Sequence, residues 1–396
     1  MRNRRRQTVR RVAIVTGTRA EYGLLATVMK AMRAQRRPQM RLVVTGMHLL
    51  PKFGRTVREI RRDGWPIAAC VRMQAGDDRA VDQAVGLARG VAGIARFLLR
   101  SNCDTVMVLG DRIEALAGAL AAVTTGRTLA HIHGGDVAPG DFDEALRDAI
   151  TMLANIHFAA TRQAARRIIR MGGDPAQVHV VGAPGLDRLR ELLAAADRTA
   201  IRLSGRPATR SAGSALLSQA RVANQTRPTA LVVYHAWGRA PAIEQRVMTF
   251  ILNAVAACGL RRLVLYPNTD RGHTGVLAAI DEHVRRCAPG EVEVVRSLSR
   301  DEYLRALIAA KVLIGNSSSG IIEAPFAGTP SVNVGGRQAG RIPGGPTIVH
   351  ADETATSIRA ALREALDLPR RPGRRTPYGD GRAGERIAAL LAGRRS

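Results

Sequence analysis

The densest set of ionisable residues lies in HIHGGDVAPGDFDEALRDAI (131–150), where His131, His133, Asp136, Asp141, Asp143 and Glu144 surround the Gly134–Gly135 pair. Titratable groups beside a glycine turn, where the backbone can approach a ligand closely, suit general acid/base work. The His-x-His spacing also occurs among metal ligands. Both histidines sit on one face of a strand end with no third nearby, so no metal is expected. For Asp143 and Glu144 the alternative is a pair of acids favouring a helix N-terminus. Asp111 and Arg112 in LGDRIEA read either as a helix cap with its salt bridge or as a catalytic carboxylate with an orienting cation. Arg19 in TGTRAEYGLL sits at the mouth of a helix, where it is either a phosphate ligand or a surface arginine. The turn is not GxGxxG, so the dinucleotide fingerprint is missing.

The second half offers a different chemistry. His235 follows ALVVY, and Asn268 and Asp270 follow RLVLY. Asn316, Ser317, Ser318, Ser319 and Gly320 follow KVLIG, with Glu323 about one turn into the next helix. Hydroxyls beside free helix N–H groups form a phosphate cradle, and Glu323 is placed to accept from ribose hydroxyls. A plain capping run is the competing reading, but three serines and a glycine exceed what a cap needs. Acid/base residues in one half and a phosphate and ribose site in the other suit an enzyme acting on a sugar nucleotide in a cleft.

These residues are positioned by short, continuously apolar strands alternating with helical stretches. The expected strands are 12–16, 41–45, 105–110, 129–133, 157–161 and 178–182, then 230–234, 262–266, 292–295, 311–315, 331–334 and 347–350. Continuous apolar runs belong to strands buried on both faces of a parallel sheet. The expected fold is therefore α/β, with two Rossmann-like doubly wound domains facing a cleft. Residues 1–10 read as a basic tail, 11–187 as the N-terminal domain with the acid/base residues and 188–228 as a linker. Residues 229–368 read as the nucleotide-binding domain, and 369–396 as a basic link with a C-terminal helix. In such sheets, ligands bind beyond the carboxyl ends of the strands, which is where every residue named above falls.

The net charge of +27 first suggests a nucleic-acid partner. Arginine supplies nearly all of it, since Lys30, Lys52 and Lys311 are the only lysines. Residues 1–11, 198–227 and 369–396 each carry a net +6, away from the motifs. Aromatic residues make up 3%, too few for a base-stacking platform. No nucleic acid is therefore expected as a partner. No apolar run is long enough to span a membrane, and VAIV is too short for a signal peptide. Four scattered cysteines fit reduced thiols in a cytoplasmic protein.

In order, TGTRAEYGLL, TGMHLLPKFGRTVREIRRDGWPI, LGDRIEAL, HIHGGDVAPGDFDEALRDAITMLANIHFAAT, VGAPGLD, YPNTD and IGNSSSGIIEAPFAGTPSVNVGGRQAGR closely resemble the hydrolysing UDP-N-acetylglucosamine 2-epimerases of sialic-acid-type biosynthesis. The resemblance implies a fold of glycosyltransferase-B type, a cytoplasmic homodimer or homotetramer, and no cofactor. It implies that UDP-N-acetylglucosamine and water become N-acetylmannosamine and UDP. The C2 proton and the diphosphate leave to give a 2-acetamidoglucal, which is then rehydrated. By the same resemblance Asp111, His133, Asp136 and Asp143 are the catalytic set. Arg19, Arg112, His235, Asn268, Ser317, Ser318 and Glu323 bind the nucleotide and its phosphates. This chain has His133 where the sialic-acid enzymes carry the glutamate of HIEGG, Asp136 in place of a glutamate, and YHAWGRA for an FHPVT-like loop. An imidazole exchanges protons near neutral pH, so the chemistry survives with shifted roles. HIHGG resembles a bacterial branch acting on UDP- or GDP-diacetylbacillosamine for legionaminic acid, which is the alternative substrate. A non-hydrolysing epimerase, with its HVEAG-type loop, and a glycosyltransferase of the same fold are the remaining alternatives.

Overall fold

The computed structural model describes residues 11–35, 38–51, 54–74, 80–137, 143–204, 228–267, 270–296, 298–373 and 375–393. The basic tail, most of the expected linker, Asp141 and Asn268 lie outside them. The chain divides into two compact units. Residues 1–136, 142–187 and 381–396 form the first, and 137–141 and 188–380 the second.

The first unit holds a seven-stranded sheet in the order β3-β2-β1-β4-β5-β6-β7, with every neighbouring pair parallel. Its strands are β1 (Arg11–Thr16), β2 (Gln39–Thr45), β3 (Ile67–Val71), β4 (Thr105–Leu109), β5 (Thr128–Ile132), β6 (Ile156–Ala159) and β7 (Val178–Val180). The connecting helices are α1 (Arg19–Ala34), α2 (Val57–Arg62), α3 (Ala80–Ser101), α4 (Ile113–Thr124), α5 (Asp143–Leu153) and α6 (Arg162–Arg170), and α7 (Gly185–Ser204) begins in this unit but belongs from residue 188 onward to the second. The central strand β4 is buried at all five positions, which accounts for its unbroken apolar sequence. β3 was not among the expected strands. It lies at the sheet edge, and IAACV alternates in burial, so it lacks a continuous apolar run.

The second unit holds a six-stranded parallel sheet in the order β10-β9-β8-β11-β12-β13. Its strands are β8 (Thr229–Val233), β9 (Arg261–Leu265), β10 (Val292–Val295), β11 (Val312–Gly315), β12 (Ser331–Val334) and β13 (Ile348–Ala351). Its helices are α8 (Pro241–Ala257), α9 (His273–Arg286), α10 (Arg300–Ala309), α11 (Ser318–Ala327) and α12 (Ala355–Asp367). Ser299 and Glu302 form a reciprocal capping box that fixes where α10 begins.

The C-terminal helix α13 (Ala383–Leu391), expected after the basic link, belongs to the first unit. Ile387, Ala388 and Leu391 are buried in the same core as Leu25, Val28 and Met32 of α1. The Asp187 carboxylate caps α13 by accepting from the Ala383 and Gly384 N–H groups at 2.9 and 2.7 Å.

In each sheet the strand order reverses between the first strand of the set and the fourth, β1/β4 and β8/β11. That reversal opens a crevice at the carboxyl ends of those strands.

Candidate functional site

In the first unit, the loops after β1, β4 and β5 carry the expected residues. Gly110, with φ 79°, turns the chain out of β4 and leads into Asp111 and Arg112. Asp111 accepts a short charge-assisted bond from Nη2 of Arg147 on α5. Nη1 of Arg147 donates to the Asp136 carbonyl at 3.1 Å. His133 directly follows β5 in a left-handed conformation, φ 64°, which is uncommon outside glycine. Its Nδ1 donates to Asp136 Oδ2 at 3.0 Å. In the neutral ring this leaves Nε2 as the basic nitrogen. Asp111, His133 and Asp136 are thus brought together through Arg147. Asp143 opens α5 four residues before Arg147, so the two share a helix face.

His131 is fully buried and does not share that role. Its Nε2 donates to the Gly110 carbonyl at 2.8 Å, and its Nδ1 lies 3.3 Å from Thr151 Oγ1. Burial pulls its pKa down to about 4. Among the described residues, no three His, Cys, Asp or Glu side chains gather to hold a metal.

Arg19 begins α1, and its Nε lies 2.7 Å from Glu59 Oε2. Arg112 reaches Met47 Sδ at 3.9 Å and has its Nε 3.4 Å from Glu114 Oε2. Two buried acids lie beside Arg112, and neither was expected as part of the site. Glu114 is fully buried, and a Cβ at Gly17 would fall 2.4 Å from its Cγ, so the β1 turn must be glycine. Glu21 accepts from the Gly17 N–H at 3.0 Å. Burial pushes its carboxyl up to about 8, with Glu114 adding to the rise and the Gly17 N–H and Arg112 opposing it. A signal for both was present, because GTRAE (17–21) and GDRIE (110–114) repeat one G-x-R-x-E pattern after the two strands flanking the reversal.

In the second unit, the buried Asn316 ties the strand-end loops together. Its Oδ1 accepts from the His235 N–H and its Nδ2 donates to the His235 carbonyl, both at 2.8 Å. Its own carbonyl accepts from Gln338 Nε2 at 2.9 Å and from Arg337 Nη1 at 3.3 Å. Burial, with a smaller contribution from Arg337, pulls the His235 imidazole down to about 3. His235 is therefore a neutral hydrogen-bonding group, not a cation.

Ser317 is the N-cap of α11, with its hydroxyl accepting from the Ser319 N–H at 3.3 Å. Capping is therefore its observed role. Ser318 is half-buried at the first position of the helix. Ser319 donates to Glu323 Oε2 at 2.6 Å and accepts from the half-buried Tyr303 hydroxyl at 2.5 Å. Arg300 pairs with the other Glu323 oxygen. Glu323, expected to meet a ribose, thus has both oxygens engaged within the protein. Arg300, Tyr303 and Arg147 were missed because each reads in sequence as an ordinary helix residue.

The profile of the family described as UDP-N-acetylglucosamine 2-epimerase matches residues 30–392. The chain is 32% identical to the UDP-N,N'-diacetylbacillosamine 2-epimerase (hydrolyzing) of Legionella pneumophila, covering 97% of this chain and 96% of the relative. It is 28% identical to the UDP-N-acetylglucosamine 2-epimerase of Neisseria meningitidis serogroup B, covering 91% and 88%. Among solved structures, the Neisseria meningitidis UDP-GlcNAc 2-epimerase bound to UDP-GlcNAc is similar at TM-score 0.75 and 15% identity, over 96% of this chain and 99% of that one. The Methanocaldococcus jannaschii UDP-GlcNAc 2-epimerase in complex with UDP-GlcNAc and UDP is similar at TM-score 0.74 and 18% identity, over 96% and 99%. These likenesses establish the fold as two parallel-sheet α/β units of glycosyltransferase-B type.

Proposed function

The chain belongs to the UDP-N-acetylglucosamine 2-epimerase family, and from that premise we propose that it is a hydrolysing 2-epimerase of a UDP-linked 2-acetamido sugar. The observation that carries this reading is the His133–Asp136 pair, joined through Arg147 to Asp111. Two proton-exchanging groups lie in adjoining loops at the carboxyl ends of β4 and β5. In the first step the C2 proton is removed as the C1–O bond breaks, and the nucleoside diphosphate departs with that electron pair. A 2-acetamidoglucal remains. In the second step water adds its hydroxyl at C1 and a proton returns to C2 from the opposite face, releasing the free 2-epimer. Asp111 and His133 exchange these protons, with Asp143 on the Arg147 face of α5 and Asp136 orienting the imidazole. Arg19 and Arg112 stabilise the diphosphate as charge builds on it. The α11 N-terminus with Ser317 and Ser318, the His235 and Asn268 loops and Glu323 hold the nucleotide.

N-acetylglucosamine is the first reading of the sugar and diacetylbacillosamine the second. The second is favoured by the Legionella relative at 32% identity and by HIHGG in place of HIEGG. The test is product identification across UDP- and GDP-linked forms of both sugars. Release of one free 2-epimer with stoichiometric nucleoside diphosphate supports the proposal and selects the substrate. An intact epimerised nucleotide sugar assigns the non-hydrolysing reaction instead.

A further inference from the structure

We propose that Arg147 is a positioning residue for this reaction, a buried guanidinium that holds the Asp111 carboxylate in register with the His133–Asp136 pair. The inference rests on the epimerase reading above. Arg147 is 2% exposed on the inward face of α5. Its Nη2 meets Asp111 in the loop after β4, while its Nη1 donates to the Asp136 carbonyl in the loop after β5. A guanidinium is a planar fork whose donors keep a fixed separation, so one group spanning two loops fixes the distance between them. Arg167 of α6 backs the clasp. It is held by both Asp148 oxygens, at 2.6 and 2.7 Å, and its Nη1 lies 3.5 Å from the same Asp136 carbonyl.

A purely structural need does not explain this arrangement. Burying a guanidinium is costly, and an apolar side chain of similar volume stabilises a core at least as well. What an apolar residue cannot do is bond a carboxylate and a carbonyl in different loops at once. The contact also favours the ionised form of Asp111.

The test uses the full chain with whichever UDP-linked 2-acetamido sugar the wild type turns over. Arg147→Lys keeps the charge but loses the fork, and Arg147→Gln loses both. Folding is checked by circular dichroism and thermal melting. The expected result is a folded Lys variant with kcat lower by about 10–100-fold, a larger loss for Gln, and KM within about threefold of wild type. Wild-type kcat in a folded variant, or a loss confined to KM, overturns the proposal. If neither variant folds, carbon NMR titration of the Asp111 carboxyl in the wild type decides the matter. Arg147 of α5 faces that carboxylate, Arg112 follows it in its own loop, and His131 of β5 bonds the preceding Gly110 carbonyl. A midpoint well below the usual value of about 3.9 supports the contact, and an ordinary midpoint overturns it. A wild type that turns over no such sugar refutes the epimerase reading separately, and the titration still tests the clasp.

Discussion

His133 Nδ1 lies 3.0 Å from Asp136 Oδ2, on a loop whose backbone turns left-handed at His133 itself. The carboxylate therefore selects which ring nitrogen carries the proton. His133→Ala should lower kcat by ~10²–10⁴-fold, the range of a lost general acid or base. Asp136→Asn should cost less, on the order of 10–100-fold, because the ring stays but its tautomer is no longer fixed. Steady-state kinetics on folded variants checks both. Activity within threefold of wild type for His133→Ala would remove the imidazole from the mechanism.

The Glu323 carboxylate, held by Ser319 and Arg300, makes a separable prediction. It lies on α11 of the second unit, whereas the acid/base loops belong to the first. Glu323→Gln should weaken UDP binding by about tenfold, as expected for a lost charge-assisted hydrogen bond. Calorimetric titration with UDP measures this, and kcat at saturation should change little. An unchanged affinity would leave Glu323 with only its contacts to Arg300 and Ser319.

Gly315 ends β11 at φ 143°, and a Cβ there would fall 2.0 Å from the Val233 carbonyl. Backbone cannot yield as a flexible side chain does. Gly315→Ala should therefore destabilise the second unit by ~2–4 kcal/mol and shift the loop carrying Asn316 and Ser317. Chemical denaturation reads the loss, and a wild-type midpoint would show that the β8–β11 pair can spread.

Four buried groups of the first unit predict how stability varies with pH. Burial lowers His48, His131 and His157 from 6.5 to about 4. The unfolded chain thus takes up protons below 6.5 that the folded chain refuses, and stability falls as pH drops toward 4. Burial raises Glu21 from 4.5 to about 8, so its contribution has the opposite sign and is lost as pH rises toward 8. Each group contributes about 1.4 kcal/mol per pH unit within its window. Between 4.5 and 6.5 three histidines outweigh one glutamate. Between 6.5 and 8 Glu21 acts alone among these four. Thermal melting should therefore peak near pH 6.5. A midpoint still rising from 6.5 to 8 would contradict this assignment.

Much of the fold was legible because parallel strands buried on both faces leave unbroken apolar runs, as in β1, β4 and β11. β3 escaped because an edge strand built as IAACV buries alternate positions. The acid/base residues were legible because they follow strands directly, where a doubly wound sheet exposes them. Arg147 was not, since arginine in DEALRDAI looks like a solvated helix face and only its packing against the β4 and β5 loops buries it. Ser317 is legible in two ways. Serine at a helix start fits both a cap and a phosphate ligand, and its observed partner is the Ser319 N–H. Asn316 was read only as the end of a strand, yet its amide bonds the His235 backbone on both sides.

The central claim, elimination followed by hydration, is tested most directly by proton NMR of the wild-type reaction run in deuterium oxide. The account predicts free 2-acetamido sugar of inverted C2 configuration, equimolar UDP, and deuterium at C2 of every product molecule. Product that retains the original C2 proton, or an epimer still linked to its nucleotide, would contradict it.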